Sequence, residues 1–200
     1  MKRRNSKLVW FCKVAMMAAL MIALHAFNMV SPERTRLMVY GQLFLMIVVV
    51  ATMAIDINAG LIMSLLFGSI SAYMGITTGS QDPIVFAPIL NASPFLIILV
   101  AVLPRVCIPL VMMGVQKLVQ KTGLNKHVQR ILTAVSGSLT NTVLFLTLAF
   151  IVRSLVGIPA EQMPVVLAWV GSSALINGGS EAVMTAIAAP PVVAALEKVK

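Results

Sequence analysis

The chain has 200 residues, of which 60% are hydrophobic and only 10% are charged, and its formal net charge is +9. Ordinary soluble domains have about 25% charged residues, so a water-soluble domain of this size is excluded. The basic residues lie in short clusters between apolar runs, which is the pattern of the positive-inside rule and not of a nucleic-acid-binding surface. The composition therefore predicts an integral membrane protein.

Six segments of the chain are long and apolar enough to cross a membrane, which takes about 20 mostly apolar residues. They are residues 8–26, 37–55, 59–76, 94–115, 128–152 and 164–196. The last segment is long, and Gly178 and Gly179 predict a bend or break in it because paired glycines weaken a helix. The sequence thus predicts one all-α membrane domain over residues 1–200, built as a bundle of six transmembrane helices.

The distribution of lysine and arginine predicts the orientation. If six segments cross the membrane, the N-terminus, the fourth connection and the C-terminus share one side, which then holds eleven basic residues against three on the other. Basic residues are retained in the cytoplasm, so both termini are predicted to be cytoplasmic. Two connections on the outer side, 25–36 and 77–93, are longer than a hairpin needs. They either gate a site or connect helices passively.

Three alanines in the first segment, Ala15, Ala19 and Ala23, are spaced four residues apart. This spacing places them on one face of a helix, where another helix can approach closely. The alanine stripe packs either inside the monomer or against another subunit. Spacing alone favours packing inside the monomer.

Four polar side chains lie midway along the last three apolar segments: Arg105, Asn141, Asn177 and Glu181. A charge at the bilayer centre costs roughly 3 kcal/mol on insertion scales, so such residues usually face a bundle interior or an aqueous cavity. At a rise of 1.5 Å per residue, the four lie about 17–26 Å along their helices. We therefore expect them to meet at middle depth.

Two interpretations of these four residues are open. A guanidinium presents a planar fork that suits a carboxylate or a phosphate, so Arg105 fits a ligand site. The alternative is an ion pair between Arg105 and Glu181 that only stabilises the bundle. Burying several unpaired polar groups is expensive, which favours the ligand site and makes all four residues substrate-binding candidates.

Catalytic and metal sites are not predicted. Serines beside glycines occur at 171–173 and 179–180, but no histidine lies at a matching depth to activate them. Cys12 and Cys107 lie inside apolar runs without metal-ligand or redox spacing. The sequence has no phosphate-binding Walker motif. The chain is therefore predicted not to be an enzyme and to hold no metal or cofactor of its own.

Several motifs together carry a family resemblance. They are the alanine stripe and residues 103–105 (Leu-Pro-Arg), 137–142 (Gly-Ser-Leu-Thr-Asn-Thr), 177–182 (Asn-Gly-Gly-Ser-Glu-Ala) and 189–192 (Ala-Pro-Pro-Val). In these motifs the chain resembles the S components of energy-coupling factor transporters, over nearly its whole length. The resemblance implies a vitamin-binding subunit in the bacterial plasma membrane. Its partners would be a membrane coupling subunit, or T component, and two cytoplasmic ATPases that use ATP.

The resemblance also implies roles for individual residues. Ala15, Ala19 and Ala23 would form the docking face for the coupling subunit, and the first outward connection would cover the binding site. The Pro-Arg and Thr-Asn-Thr pattern is most similar to pantothenate-specific members. Arg105 would then clamp the carboxylate of pantothenate, while Asn141 and Asn177 would offer paired donors and acceptors.

Other functions stay open at this point. Folate and riboflavin fit less well, because their rings usually stack on aromatic side chains and the chain is only 6% aromatic. An S component for cobalamin, which would need a far larger cavity, or for a pyrimidine precursor stays open as well. Outside this class, the chain is either a non-transporting membrane scaffold or an ion-coupled carrier.

Overall fold

The computed structural model describes residues 6–30, 38–78 and 83–198, and the described residues contain helices without any strand. The predicted all-α fold is therefore confirmed. The helices are α1 Ser6–Val30, α2 Met38–Ala54, α3 Ile57–Thr78, α4 Phe86–Ala92, α5 Pro94–Val119, α6 Lys126–Val156, α7 Met163–Ser173 and α8 Gly179–Lys198. A 3-10 turn, Ala160–Gln162, precedes α7, and a π-helix, Ala174–Gly178, joins α7 to α8.

Among the described residues, five helical stretches are long and apolar enough to cross a membrane, which identifies a multi-pass membrane protein. They are Lys7–Val30, Ile57–Thr78, Pro94–Val119, Lys126–Val156 and Ala160–Lys198. The sixth predicted span, 37–55, corresponds to α2, whose 17 residues make a helix about 26 Å long. That length is slightly below the roughly 30 Å of a bilayer core, so the sixth span stays a prediction.

The two outward connections lie partly outside the described residues, since 31–37 and 79–82 are not described. The described part of the second connection is not a plain loop, because it contains the short helix α4. Ser93 ends α4 and starts α5, and its hydroxyl accepts a hydrogen bond from the Phe95 amide at 3.3 Å. Pro94 occupies the first turn of α5, where its missing N–H costs nothing.

The last predicted segment, 164–196, is helical throughout from Met163 to Lys198, although a break or bend was predicted near its paired glycines. The structure accommodates the Asn177–Gly178 region by winding Ala174–Gly178 as a π-helix. A π-helix adds one residue to a turn and is frequent at functional sites.

The core is formed around α2, which is buried over most of its length, including Leu45, Val48 and Val49. Helices α3 and α5 pack closely because Gly68 has no side chain. A Cβ atom on Gly68 would lie 3.0 Å from the Cα atom of Val102. This close approach brings α3 against the middle of α5, where Arg105 lies.

Helix α1 lies at the edge of the bundle. Only 11% of the residues in its most apolar 18-residue stretch are buried, against 44% in the corresponding stretches of α3 and α5. The Trp10 indole N–H donates to the Asp56 carboxylate at 2.8 Å, and this contact joins α1 to the turn between α2 and α3. At the other end of α1, the rings of His25 and Tyr73 meet edge to face, 6.0 Å apart.

The alanine stripe faces away from this bundle. Ala15, Ala19 and Ala23 are exposed, whereas Val14 and Met21 of the same helix are buried. The packing inside the monomer that spacing favours is therefore wrong. It fails because the larger side chains of α1 fill the contact with α2 and α3.

Candidate functional site

Arg105 lies in the middle of α5 and is buried, with 6% of its surface exposed. Its position depends on the preceding proline. Pro104 has no N–H, so the carbonyl of Val100 lacks the hydrogen bond that residue 104 would otherwise donate. The Arg105 Nη1 atom donates to this Val100 carbonyl at 3.2 Å. The proline thus creates the acceptor that holds the arginine against its own helix.

The remaining surroundings of the guanidinium come from α3 and α6. Its Nη2 atom donates to the Ser71 hydroxyl at 3.2 Å. Its carbon atom lies 4.4 Å from the ring centroid of Phe145 and 5.1 Å from that of Phe67, within the range of cation–π contacts. The Nε atom is buried and has no hydrogen-bond partner. The cation is therefore enclosed but not fully hydrogen-bonded.

Aromatic side chains continue from Phe145 towards the end of the bundle where α4 lies. The rings of Phe86 and Phe145 are stacked with centroids 6.1 Å apart, and Phe86 meets Trp169 edge to face at 5.8 Å. We call Phe145, Phe86 and Trp169 the aromatic row. It brings together side chains from α6, α4 and α7, next to the arginine.

Sequence reasoning missed the aromatic row. Phe145 follows Asn141 by four residues, so its place on the same face of α6 was detectable from spacing. No local pattern indicates that Phe86 and Trp169 join it. The argument from a low aromatic content is weakened accordingly, because composition does not reveal that aromatic residues are concentrated at one place.

Asn141 and Glu181 do meet, as expected. The Asn141 side-chain amide donates to the Glu181 carboxylate at 3.1 Å, and the Thr142 hydroxyl donates to the same oxygen at 3.4 Å. The Asn141 carbonyl oxygen is buried without a partner. Gly178 allows α6 and the π-helix to approach closely here, since a Cβ atom on Gly178 would lie 2.6 Å from the Thr142 methyl group.

Arg105 and Glu181 do not form the ion pair considered as an alternative. Within the described residues, the only ion pair joins Arg130 to Glu197, far along the sequence from both. Arg105 instead lies beside Phe145, one helical turn from Asn141. The arginine and the Asn141–Glu181 pair are thus two neighbouring polar groups without a direct ion pair between them.

Asn177 is not brought into this group. It is exposed on the π-helix, and its backbone carbonyl accepts a hydrogen bond from the Ser180 hydroxyl at 2.9 Å. Ser180 in turn accepts a hydrogen bond from the Gln42 amide of α2 at 2.7 Å. The expected convergence of four residues therefore holds for three of them, because the π-helix turns Asn177 outward.

Arg153 is a second buried arginine that sequence reasoning counted only as a loop charge. It lies in the last turn of α6 and is 2% exposed. Its guanidinium donates to the Ile84 carbonyl at 2.9 Å, to the Gln162 side chain at 3.1 Å and to the Gly157 carbonyl. It joins the end of α6 to the segments that precede α4 and α7.

The side chains at this site provide a positive charge, hydrogen-bond acceptors and aromatic faces, all of which can bind a ligand. A buried cation, the ring of Phe67, the aromatic row and an amide–carboxylate pair lie next to one another inside an apolar bundle. Among the described residues, no three of His, Cys, Asp and Glu are grouped so that they could hold a metal ion.

Comparisons with known proteins give no assignment: no protein-family model matches the chain, and no curated protein matches it significantly.

Proposed function

We propose that this chain is the substrate-binding membrane subunit, or S component, of an energy-coupling factor importer for a small carboxylate vitamin, with pantothenate as the first candidate. All six predicted segments would cross the bacterial plasma membrane, with both termini in the cytoplasm. A membrane coupling subunit and two ATPases would supply the energy, since the chain has no nucleotide-binding motif of its own.

The observation that carries the proposal is the state of Arg105. It is buried midway along an apolar helix, its Nε atom is unpaired, and no carboxylate of the described residues forms an ion pair with it. A charge in such a position is expensive, and intramembrane charges usually mark a substrate pathway. A ligand carboxylate would supply the counter-charge and the missing acceptor.

The Asn141–Glu181 pair supports a ligand that carries further polar groups. The unpaired Asn141 carbonyl accepts hydrogen bonds, and the Glu181 carboxylate has a second oxygen that accepts no hydrogen bond from the described residues. Hydroxyl and amide groups donate to such acceptors. Pantothenate has one carboxylate, two hydroxyls and an amide, so its groups match both polar neighbours.

The exposed alanine stripe supports the assembly part of the proposal. Ala15, Ala19 and Ala23 form an exposed stripe of small residues on a peripheral helix. Small residues of this kind let two helices pack closely in lipid. This face would dock the coupling subunit.

A vitamin with a flat ring, such as folate, is a second candidate, and the aromatic row favours it. A ring would stack on Phe86, Phe145 or Trp169 while its carboxylate reaches Arg105. Stacked aromatic pairs gain about 0.5–1.5 kcal/mol beyond the area that they bury.

Ligand-dependent thermal unfolding of the purified chain in detergent tests the proposal. A specific vitamin at 100 times its Kd stabilises the folded state by about 2.7 kcal/mol, so the matching vitamin in a panel should raise the melting temperature. Pantothenate and folate in the same panel separate the two candidates. A membrane scaffold would respond to no vitamin, and this outcome would contradict the proposal.

Transport assays separate an S component from an ion-coupled carrier. The chain alone in liposomes should bind the vitamin without accumulating it, whereas an ion-coupled carrier would accumulate it without any ATPase. Ala19→Arg should leave binding unchanged but block uptake in cells that provide the partners. Val183→Arg is the matched control, because Val183 is 58% exposed on a different helix.

A further inference from the structure

A polar cleft of about 190 Å³ lies at the end of the bundle opposite the aromatic row. Its lining combines the end of α5, the start of α6 and the end of α8. The lining side chains include Gln116, Gln120, Lys126, Gln129, Arg130 and Glu197. The volume is several times the roughly 30 Å³ that one water molecule occupies in the liquid, so a small polar group fits.

The cations of this cleft are only partly neutralised. Lys126 and Arg130 are four residues apart and therefore share one face of α6. Glu197 accepts a hydrogen bond from Arg130 at 2.5 Å, and among the described residues this is the single side-chain hydrogen bond that the Arg130 guanidinium makes. A guanidinium has five N–H donors, so most of them remain available to a second acceptor.

We propose that this cleft binds a phosphate-bearing anion, in particular the headgroup of an anionic phospholipid in the cytoplasmic leaflet. The cleft contains two cations, one anion and several amide donors, a composition suited to a phosphodiester with its glycerol hydroxyls. Met53 is its one apolar lining residue, so the cleft suits a headgroup better than an acyl chain or an amphipathic helix.

The membrane position agrees with this ligand. The cleft lies at the end of the bundle that holds Lys117, Lys121 and Lys198, and the inference rests on the cytoplasmic orientation proposed above for that end. Anionic lipids concentrate in the cytoplasmic leaflet, and basic pockets between transmembrane helices bind their headgroups. The binding of a headgroup in this cleft does not depend on which vitamin the chain binds.

The test is thermal unfolding of the purified chain in neutral detergent with added phosphatidylglycerol or phosphatidylcholine. Phosphatidylglycerol should raise the melting temperature more than phosphatidylcholine does. Lys126→Gln and Arg130→Gln should each weaken the phosphatidylglycerol effect about five-fold in lipid concentration, through loss of a charge-assisted contact with the phosphate. Lys117→Gln is the matched control, since it removes the same charge outside the cleft, and its response should equal that of the unchanged chain.

Glu197→Gln gives a result of opposite sign. It removes the anion that competes for Arg130, so phosphatidylglycerol should act at a lower concentration in this variant. If Glu197→Gln weakens the lipid effect as much as Arg130→Gln does, the ion pair is only structural and the inference fails. It also fails if the two lipids act alike, or if Lys117→Gln loses as much as Lys126→Gln.

Inorganic phosphate, added without any lipid, distinguishes the source of the anion. If phosphate alone reproduces the stabilisation and Arg130→Gln removes it, the cleft binds free phosphate; if only the lipid acts, it binds the headgroup. These measurements use no vitamin and no partner subunit. A chain that ignores every vitamin would refute the proposed function and still leave the lipid result interpretable.

Discussion

Two buried arginines in this molecule have opposite surroundings. Arg153 is 2% exposed, and all three nitrogen atoms of its guanidinium donate to protein oxygens. Arg105 is 6% exposed, its two hydrogen bonds are both 3.2 Å long, and its Nε atom is unpaired. Two arginines that are buried to a similar degree therefore differ in their hydrogen bonding. The difference lies in how completely the donors are used.

This difference has an energetic meaning. The hydrogen bonds of Arg153 hold the end of α6 against two connecting segments, so its cation contributes to the fold. The cation of Arg105 has lost its hydration without receiving full compensation from the protein. Such a group lowers stability until an anion binds. The predictions that follow test this division of roles.

The largest expected effect is on stability at Arg153. Arg153→Leu should lower the free energy of unfolding by about 4.5 kcal/mol or more, since three hydrogen bonds from a charged group are lost and each contributes about 1.5–3 kcal/mol. Unfolding in detergent, followed by circular dichroism, measures it. Arg153→Lys is the control and should recover part of the loss. An Arg153→Leu variant as stable as the unchanged chain would contradict the structural role.

The second effect concerns binding at Arg105. Arg105→Leu should weaken binding of the matching vitamin by about 100-fold or more, through loss of the charge-assisted contacts. Its stability without ligand should fall by less than that of Arg153→Leu, by about 1–3 kcal/mol, because the buried charge is removed but the Val100 carbonyl loses its donor. Calorimetric titration and thermal unfolding give the two quantities. A large loss of stability together with unchanged affinity would reverse the roles of the two arginines.

The smallest expected effect on stability comes from two adjacent glycines at the junction of the π-helix and α8. Gly178→Ala should destabilise the chain by about 2 kcal/mol, since its Cβ atom would lie 2.6 Å from the Thr142 methyl group. It should also weaken vitamin binding by separating Thr142 and Asn141 from Glu181. Gly179→Ala meets nothing within 4 Å and should be neutral or stabilising by up to about 1 kcal/mol. Equal melting temperatures for both variants would remove the packing argument.

The sequence was sufficient for features that depend on local chemistry. Apolar run length predicted the positions of α3, α5 and α6, and the gap between the predicted segments 37–55 and 59–76 includes Asp56, which lies in the turn between α2 and α3. Asp56 caps α3, where its carboxylate accepts from the Ala59 amide at 2.8 Å. The contact between Arg105 and the Val100 carbonyl was not predicted, although Pro104 frees this carbonyl and an unsatisfied carbonyl inside a membrane needs a donor.

Features that depend on distant contacts were not predictable. The aromatic row joins residues from three helices, and the Arg153 contacts span up to 69 positions in sequence. The outward turn of Asn177 depends on a π-helix, whose extra residue changes every helical phase counted from Pro164. Spacing rules assume 3.6 residues per turn, so they misplace a side chain wherever the backbone departs from that value.

Positions 104 and 105 depend on each other, because Pro104 leaves the Val100 carbonyl without a helical donor and Arg105 donates to it. Any other residue at position 104 would bring a backbone N–H that claims the Val100 oxygen, and the guanidinium would lose its anchor on its own helix. Replacing Arg105 alone would leave the Val100 oxygen buried without a hydrogen-bond donor. Substitutions at this place should therefore exchange Pro104 and Arg105 together.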